Sequence, residues 1–281
     1  MKTPELTSFL FLILLINSCL NGQDFEKLSD NQGVSGVKSE SGINVPVTVS
    51  VVYNNYVSVE GMKADWGYSV VINGLEKEIL FDTGTKPDIF ESNFRKMGID
   101  ASEIDFLVLS HEHGDHTGGI PVFIKMKTGI PVIVPDSFTN SFKKDMTDLG
   151  LKPVMTDGPS MICDHLFTSG EFDYRIAEQA LVLDTKKGLV VMTGCSHPGI
   201  VEMLTEIKKD FNKNIYMVFG GFHLMEKTDK EMDSIIAEMK RLGVIRCGAT
   251  HCTGDKQIEM FRKAFGEDYF ELGVGNKIVI Q

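Results

Sequence analysis

Residues 107–119 read LVLSHEHGDHTGG. An apolar strand, Phe106 to Leu109, breaks off into His111-Glu112-His113-Gly114-Asp115-His116. A bound metal ion needs several neutral imidazoles and a carboxylate converging on one point. His111 and His113 are two residues apart, so an extended segment projects both to one side and Glu112 to the other. Glu112 is therefore read as non-catalytic. Gly114 permits a turn that carries Asp115 and His116 to a neighbouring point. One short loop can thus supply two ligands to each of two metals.

The chain holds seven histidines, and three fall in this window. His197, His223 and His251 also end strand-like segments, which leaves His165 outside the pattern. A polar loop that gathers three histidines by chance is the competing explanation. It leaves the other strand-end histidines unaccounted for.

Upstream, residues 80–85 read LFDTGT. Asp-Thr-Gly after an apolar strand also marks aspartic proteases. That chemistry needs a second such aspartate and has no use for six placed histidines, so Asp82 is assigned to the histidine site instead.

Around this centre the texture is that of an α/β domain over residues 45–281. VPVTVSVVYNNY (45–56), WGYSVVINGLEKEILFDTG (66–84) and IDFLVLSH (104–111) are β-branched and alternating, with a hairpin turn at NGLE. YRIAEQALVLDT (174–185) and KGLVVMTGCSH (187–197) read as two further strands. From residue 199 helical patterns such as GIVEMLTEIKKDF alternate with strands such as IYMVFGGFH and IRCGATH. Hairpins followed by alternating strand and helix imply sheets covered by helices.

The first 19 residues have Lys2 near the start and an apolar run from Phe9 to Ile16, a signal-peptide pattern that is too short to span a bilayer. INSC resembles a lipobox, with Cys19 as the acylated residue. Residues 20–44 are rich in Gly, Ser, Asn and charge, which predicts a flexible tether. The expectation is an exported lipoprotein of the periplasm or cell envelope, touching membrane only through its anchor.

The 281 residues are 42% apolar, enough for a full core, and the net charge of −11 disfavours nucleic acid as a partner. A small-molecule substrate is the expected partner; oligomeric state is not legible. Cys163, Cys195, Cys247 and Cys252 show no CxxC spacing. Cys195 and Cys252, beside histidines, are read as small buried hydrophobes, and Trp66 and Tyr68 as core residues or pocket lining, with core favoured.

HxHxDH after a strand, with DTG upstream and isolated histidines downstream, resembles the metallo-β-lactamase superfamily over residues 45–281. TGCSHPGI (193–200), GGFHL (220–224) and THCTG (250–254) further resemble its ribofuranosylaminobenzene 5'-phosphate (dihydropterin) synthase-like branch. The resemblance implies an αββα sandwich, two mixed sheets covered by helices on both outer faces. It implies that His111, His113 and His197 bind one divalent ion and that Asp115, His116 and His251 bind a second. Zinc is the default, with manganese or iron as alternatives. Asp115 would also orient the attacking water, and Asp82 would support the ligands through hydrogen bonds. Where most of the superfamily has a bridging aspartate, this chain offers His223, as a ligand or as a side chain that contacts substrate. The implied activity is metal-dependent hydrolysis of an anionic, phosphoester-like substrate at a mono- or dinuclear site. A synthase-like transferase and a non-catalytic metal-binding lipoprotein are the alternatives.

Overall fold

A computed structural model describes residues 26–28, 42–43 and 45–281. The leader expected over residues 1–19 and most of the tether expected over 20–44 lie outside these residues. Two pieces of that tether segment are docked on the domain. Glu26–Lys27 forms β1, and Ile43 bridges Thr185.

The alternating valines of VTVSVVY form β2 (Val47–Tyr53). The hairpin expected at NGLE joins β3 (Ser69–Asn73) to β4 (Glu78–Phe81), with Ile72 opposite Ile79. After α1 (Pro87–Lys96), which begins on a proline, come β5 (Ile104–Val108), the single turn α2 (Gly114–Thr117) and α3 (Ile120–Met126). The chain continues through β6 (Pro131–Pro135), α4 (Asn140–Asp148) and β7 (Lys152–Thr156). Next come β8 (Ser160–Cys163), β9 (Leu166–Thr168), β10 (Leu181–Thr185) and β11 (Gly188–Thr193). The last part alternates α5 (Ile200–Phe211), β12 (Ile215–Gly221), α6 (Asp229–Arg241), β13 (Arg246–Thr250) and α7 (Asp255–Phe265), and ends in β14 (Lys277–Ile280).

Among the described residues the strands make two mixed sheets. One runs β1-β7-β6-β5-β4-β3-β2-β14 and the other β13-β12-β11-β10-β9-β8. Strand alternation divides the apolar residues into three layers. Val49, Val70, Ile79 and Phe81 of the first sheet meet Leu181, Val190, Met192 and Phe219 of the second between the sheets. Val71, Leu80 and Leu107 face outward under α1, α3 and α4. Leu189, Val191 and Val218 face outward under α5, α6 and α7. The αββα sandwich is therefore built as the sequence predicts.

The strand expected at 174–185 is shorter than its apolar pattern suggests, because residues before Leu181 do other work. Buried Gln179 crosses between the sheets: its Nε2 donates to Leu109 O (2.8 Å) and Ile133 O (3.2 Å). Its backbone N–H donates to Ser110 O at 2.9 Å. These bonds pin the end of β5 to the second sheet. β4 and β5 run parallel, as do β11, β12 and β13. Parallel strands end on one edge, so the segments carrying Asp82, His111, His197, His223 and His251 gather there.

Candidate metal centre

β5 ends and the chain turns sharply, with His113 in extended conformation capping α2. That single helical turn carries Asp115 and His116 beside His111 and His113, but Gly114 is not among the positive-φ glycines and a Cβ there would meet open space, so the turn does not depend on a glycine. Two donor sets result, their ligand atoms all within 4.8 Å of one another: His111, His113 and Asp115, and then Asp115, His116 and His251 joined by Cys195. His197 enters a third, with His111 and Cys195.

Each buried ring is turned by a partner on its Nδ1. His116 Nδ1 donates to Asp82 Oδ2 at 2.6 Å, His197 Nδ1 to Glu178 Oε2 at 2.9 Å, and His251 Nδ1 to Asn55 Oδ1 at 2.9 Å. His111 Nδ1 lies 2.9 Å from Ser110 Oγ, which donates in turn to Asp82 Oδ2 at 2.7 Å. Such bonds fix the tautomer and leave Nε2 free as a ligand atom. The Asn55 amide is itself oriented by Gly67 N, which donates to Oδ1 at 3.1 Å.

The donors fit a metal on two observations. His251 Nε2 is buried, 3.3 Å from Asp115 Oδ2, and makes no hydrogen bond. A buried polar nitrogen without a partner is costly unless something else binds it. His111 Nε2 and His113 Nδ1 lie 3.1 Å apart. Two nitrogens bound to one tetrahedral zinc stand roughly 3.3 Å apart.

Electrostatics favour ligation at His111 and His113 and oppose it at His116, where a metal ion must displace a proton. Burial, reinforced by the charges of His116 and His197, holds His111 well below its ordinary pKa, so the ring is neutral. Burial and His197 lower His113 as well. At His116 burial acts downward, but the Asp82 carboxylate outweighs it and raises the ring to about 9. Burial would raise Asp115; the nearby His251 ring and the charge of His116 prevail and hold it below the usual range.

Asp82 is fully buried and accepts Ser110 N at 2.8 Å as well as the bonds above. This arrangement ties β4 to the metal loop and excludes a protease nucleophile. Glu112 points away, its carboxylate accepting Thr139 N (2.7 Å) and Thr139 Oγ1 (2.6 Å) at the start of α4. His223 lies against His197, ring centroids 4.4 Å apart. Its donor set is Cys195 and Cys252, so the structure does not bring it to the Asp115–His116–His251 group. Asp82, Ser196, His223 and His251 all have positive φ, between 51° and 62°. Left-handed backbone at non-glycine residues costs about 1–2 kcal/mol each and gathers where a site must be held in shape.

Two readings of the sequence change. Trp66 is 44% exposed rather than core, because its indole Nε1 donates to Asp115 Oδ2 at 2.8 Å. Cys195 is buried, as expected, yet it lies among the ligands. Glu178 and Asn55 were missed. Glu178 carried one signal: a lone acid, beside Gln179, at the head of an apolar strand.

Beside the centre lies a groove of about 1090 Å³, lined by His197, His223, Tyr174, Lys227 and Lys230.

A model of the metallo-β-lactamase superfamily matches residues 66–199. A Methanocaldococcus jannaschii protein named 7,8-dihydropterin-6-methyl-4-(β-D-ribofuranosyl)-aminobenzene-5'-phosphate synthase is 32% identical over 251 residues, 73% of this chain and 85% of its own. A solved metal-dependent hydrolase of the β-lactamase superfamily superposes with a TM-score of 0.70 at 27% identity, covering 84% of this chain and 99% of that one. A diphosphatase of the PhnP family shares the fold, with a TM-score of 0.55 at 14% identity over 84% of this chain and 98% of its own.

Proposed function

The chain belongs to the metallo-β-lactamase superfamily, and from that premise we propose that it is a metal-dependent hydrolase acting on an anionic ester of the phosphoester type. The observation that carries this reading is the convergence of the histidine nitrogens and Asp115, with His251 Nε2 buried and unpaired at its centre. His111, His113 and His197 would hold one divalent ion, and Asp115, His116 and His251 a second, with zinc the ion of choice. Ions so held supply Lewis acidity and lower the pKa of a bound water toward about 7.

The chain's own residues do the rest. Asp82, Glu178 and Asn55 fix the rings, and Trp66 holds the Asp115 carboxylate in the orientation that aligns a nucleophile. Neutral histidines bring little negative charge to two dications, which favours an anionic substrate. The groove beside His197 and His223 gives such a substrate room. The test is a panel of phosphodiester, phosphomonoester, lactone and neutral-ester substrates, with metal content measured alongside. Turnover of phosphoesters is expected; turnover of neutral esters alone sinks the reading.

The synthase relative favours a second reading, transfer to a pterin precursor, whose product name also carries a 5'-phosphate. Product analysis with a dihydropterin substrate separates transfer from hydrolysis. A non-catalytic metal-binding role predicts that His113→Ala abolishes partner binding while no substrate is turned over by either form. The leader pattern supports export as a lipoprotein, and palmitate labelling of wild type but not Cys19→Ala is its test.

A further inference from the structure

Two of the donor sets, Asp115–His116–His251 and His111–His197, share one atom that the histidine count does not include. Cys195 Sγ stands within 4.8 Å of the donor atoms of Asp115, His116 and His251, and equally of those of His111 and His197. Its distance to His116 Nε2 is 3.2 Å. The other carboxylates next to the histidines are already occupied. Asp82 serves Ser110 and His116, and Glu178 accepts Cys195 N, Ser196 N, His197 N and His197 Nδ1. Beside Asp115, the Cys195 sulfur is a potentially anionic donor that both of these sets hold in common.

The fold makes room for it deliberately. A Cβ at Gly221, the last residue of β12, would lie 2.4 Å from Gly194 O and 2.7 Å from Cys252 Sγ. No side chain fits at that strand end, where the Cys252 sulfur occupies the space. The Cys195 backbone N–H donates to Glu178 Oε1 at 2.7 Å, so the carboxylate that turns His197 also fixes Cys195. Cys252 Sγ lies 3.1 Å from Cys195 Sγ, placed to donate its S–H. The unpaired, buried His251 Nε2 points independently to a ligand in this space.

We propose that Cys195 is a metal ligand shared by both ions, a thiolate bridge between the two histidine sets, supported by a hydrogen bond from the Cys252 thiol. On ligation the Cys195 S–H bond breaks, its proton goes to solvent, and the sulfur pair forms the bonds to metal. Soft thiolate selects zinc or iron over manganese or magnesium. The inference rests on the metal-binding part of the proposed function and on nothing about its substrate.

The test is cobalt(II) loading of the full chain, followed by absorption spectroscopy and metal analysis. Wild type should show a thiolate-to-cobalt charge-transfer band that grows over both equivalents, and Cys252→Ala should keep it. Cys195→Ala should lose the band while still binding cobalt. A band that survives in Cys195→Ala, or that saturates at one equivalent, overturns the shared thiolate. So does a Cys195–Cys252 disulfide found in the metal-loaded protein. Should Cys195→Ala not fold, zinc X-ray absorption of wild type decides alone: a Zn–S shell near about 2.3 Å is expected, and nitrogen and oxygen scatterers only overturn the proposal. Metal bound without sulfur defeats this inference and spares the hydrolase reading; no metal bound defeats both.

Discussion

Glu178 Oε2 lies 2.9 Å from both the backbone nitrogen and the Nδ1 of His197, while Oε1 accepts the N–H groups of Cys195 and Ser196 at 2.7 and 2.8 Å. One buried carboxylate thus holds an entire three-residue turn and the ring at its end. Burial acts to raise its pKa, but the neighbouring His111 and His197 rings and these bonds outweigh it and keep it ionised.

Glu178→Gln keeps the shape but turns an NH2 toward two donors. Each lost charge-assisted bond is worth about 1.5–3 kcal/mol. Destabilisation of roughly 2–3 kcal/mol is expected in denaturant melts, with metal affinity down about 10–100-fold in chelator competition. Wild-type metal affinity in this variant would show that His197 needs no orienting partner.

Asp82→Ala removes the acceptor for Ser110 N, Ser110 Oγ and His116 Nδ1 at once. Breaking a buried pair of this kind costs about 3–5 kcal/mol. The metal loop should exchange its amides faster, and metal should be lost to chelator at lower concentration than in wild type. Pepstatin-type inhibitors should have no effect on either protein.

The candidate ligands were legible because metal chemistry restricts residue type and strand ends restrict position. HxHxDH, His197, His223 and His251 stand out on those two grounds, and only the family resemblance divides them between two ions. Sheets covered by helices were legible from alternation, since Val49, Val51 and Val70 repeat on one face, while the αββα order came from the family resemblance. Glu178 and Asn55 were not, because the residues that orient ligands need only reach one ring nitrogen from anywhere in the fold. Asn55 sits 196 positions from His251. Trp66 and Cys195 misled for a related reason: an indole or a thiol looks apolar in sequence, and only its neighbours disclose its polar atom.

Trp66→Phe deletes the donor to Asp115 but keeps an aromatic ring against His251, 4.9 Å away in the wild type. Because Trp66 is part-exposed, stability should change by less than about 1 kcal/mol. Turnover should fall roughly tenfold, the effect of about 1.4 kcal/mol from one hydrogen bond to a charged group. An unchanged kcat at full metal occupancy would free Asp115 of this partner.

Acid should loosen one wall of the groove before the core. Thr228 and Glu231 form a capping box at the start of α6, and the Thr228 hydroxyl and N–H, with Lys227, lower Glu231 from 4.5 to about 2. A depressed carboxyl contributes stability above its unfolded pKa and loses it as pH falls through the folded one. Amide exchange at the first turn of α6 should therefore quicken between pH 4.5 and 2. Glu231→Gln should remove that pH dependence, and an unchanged profile in the variant would assign it elsewhere.

Two glycines near the centre should respond in opposite ways to the same substitution. Gly221→Ala drives a Cβ into Gly194 O and Cys252 Sγ, at 2.4 and 2.7 Å, and the backbone atom cannot move aside. Overpacking of this kind costs about 1–3 kcal/mol, and it displaces the Cys252 thiol that stands beside Cys195. Gly114→Ala sits at the first position of α2, and nothing lies within 4 Å of its Cβ. There the smaller entropy of the unfolded chain should leave the protein unchanged or up to about 1 kcal/mol more stable. Thermal melts and metal stoichiometry of the two variants measure this contrast side by side. If both lose stability and metal alike, the sensitivity belongs to glycine anywhere in the site, and the steric account of Gly221 fails.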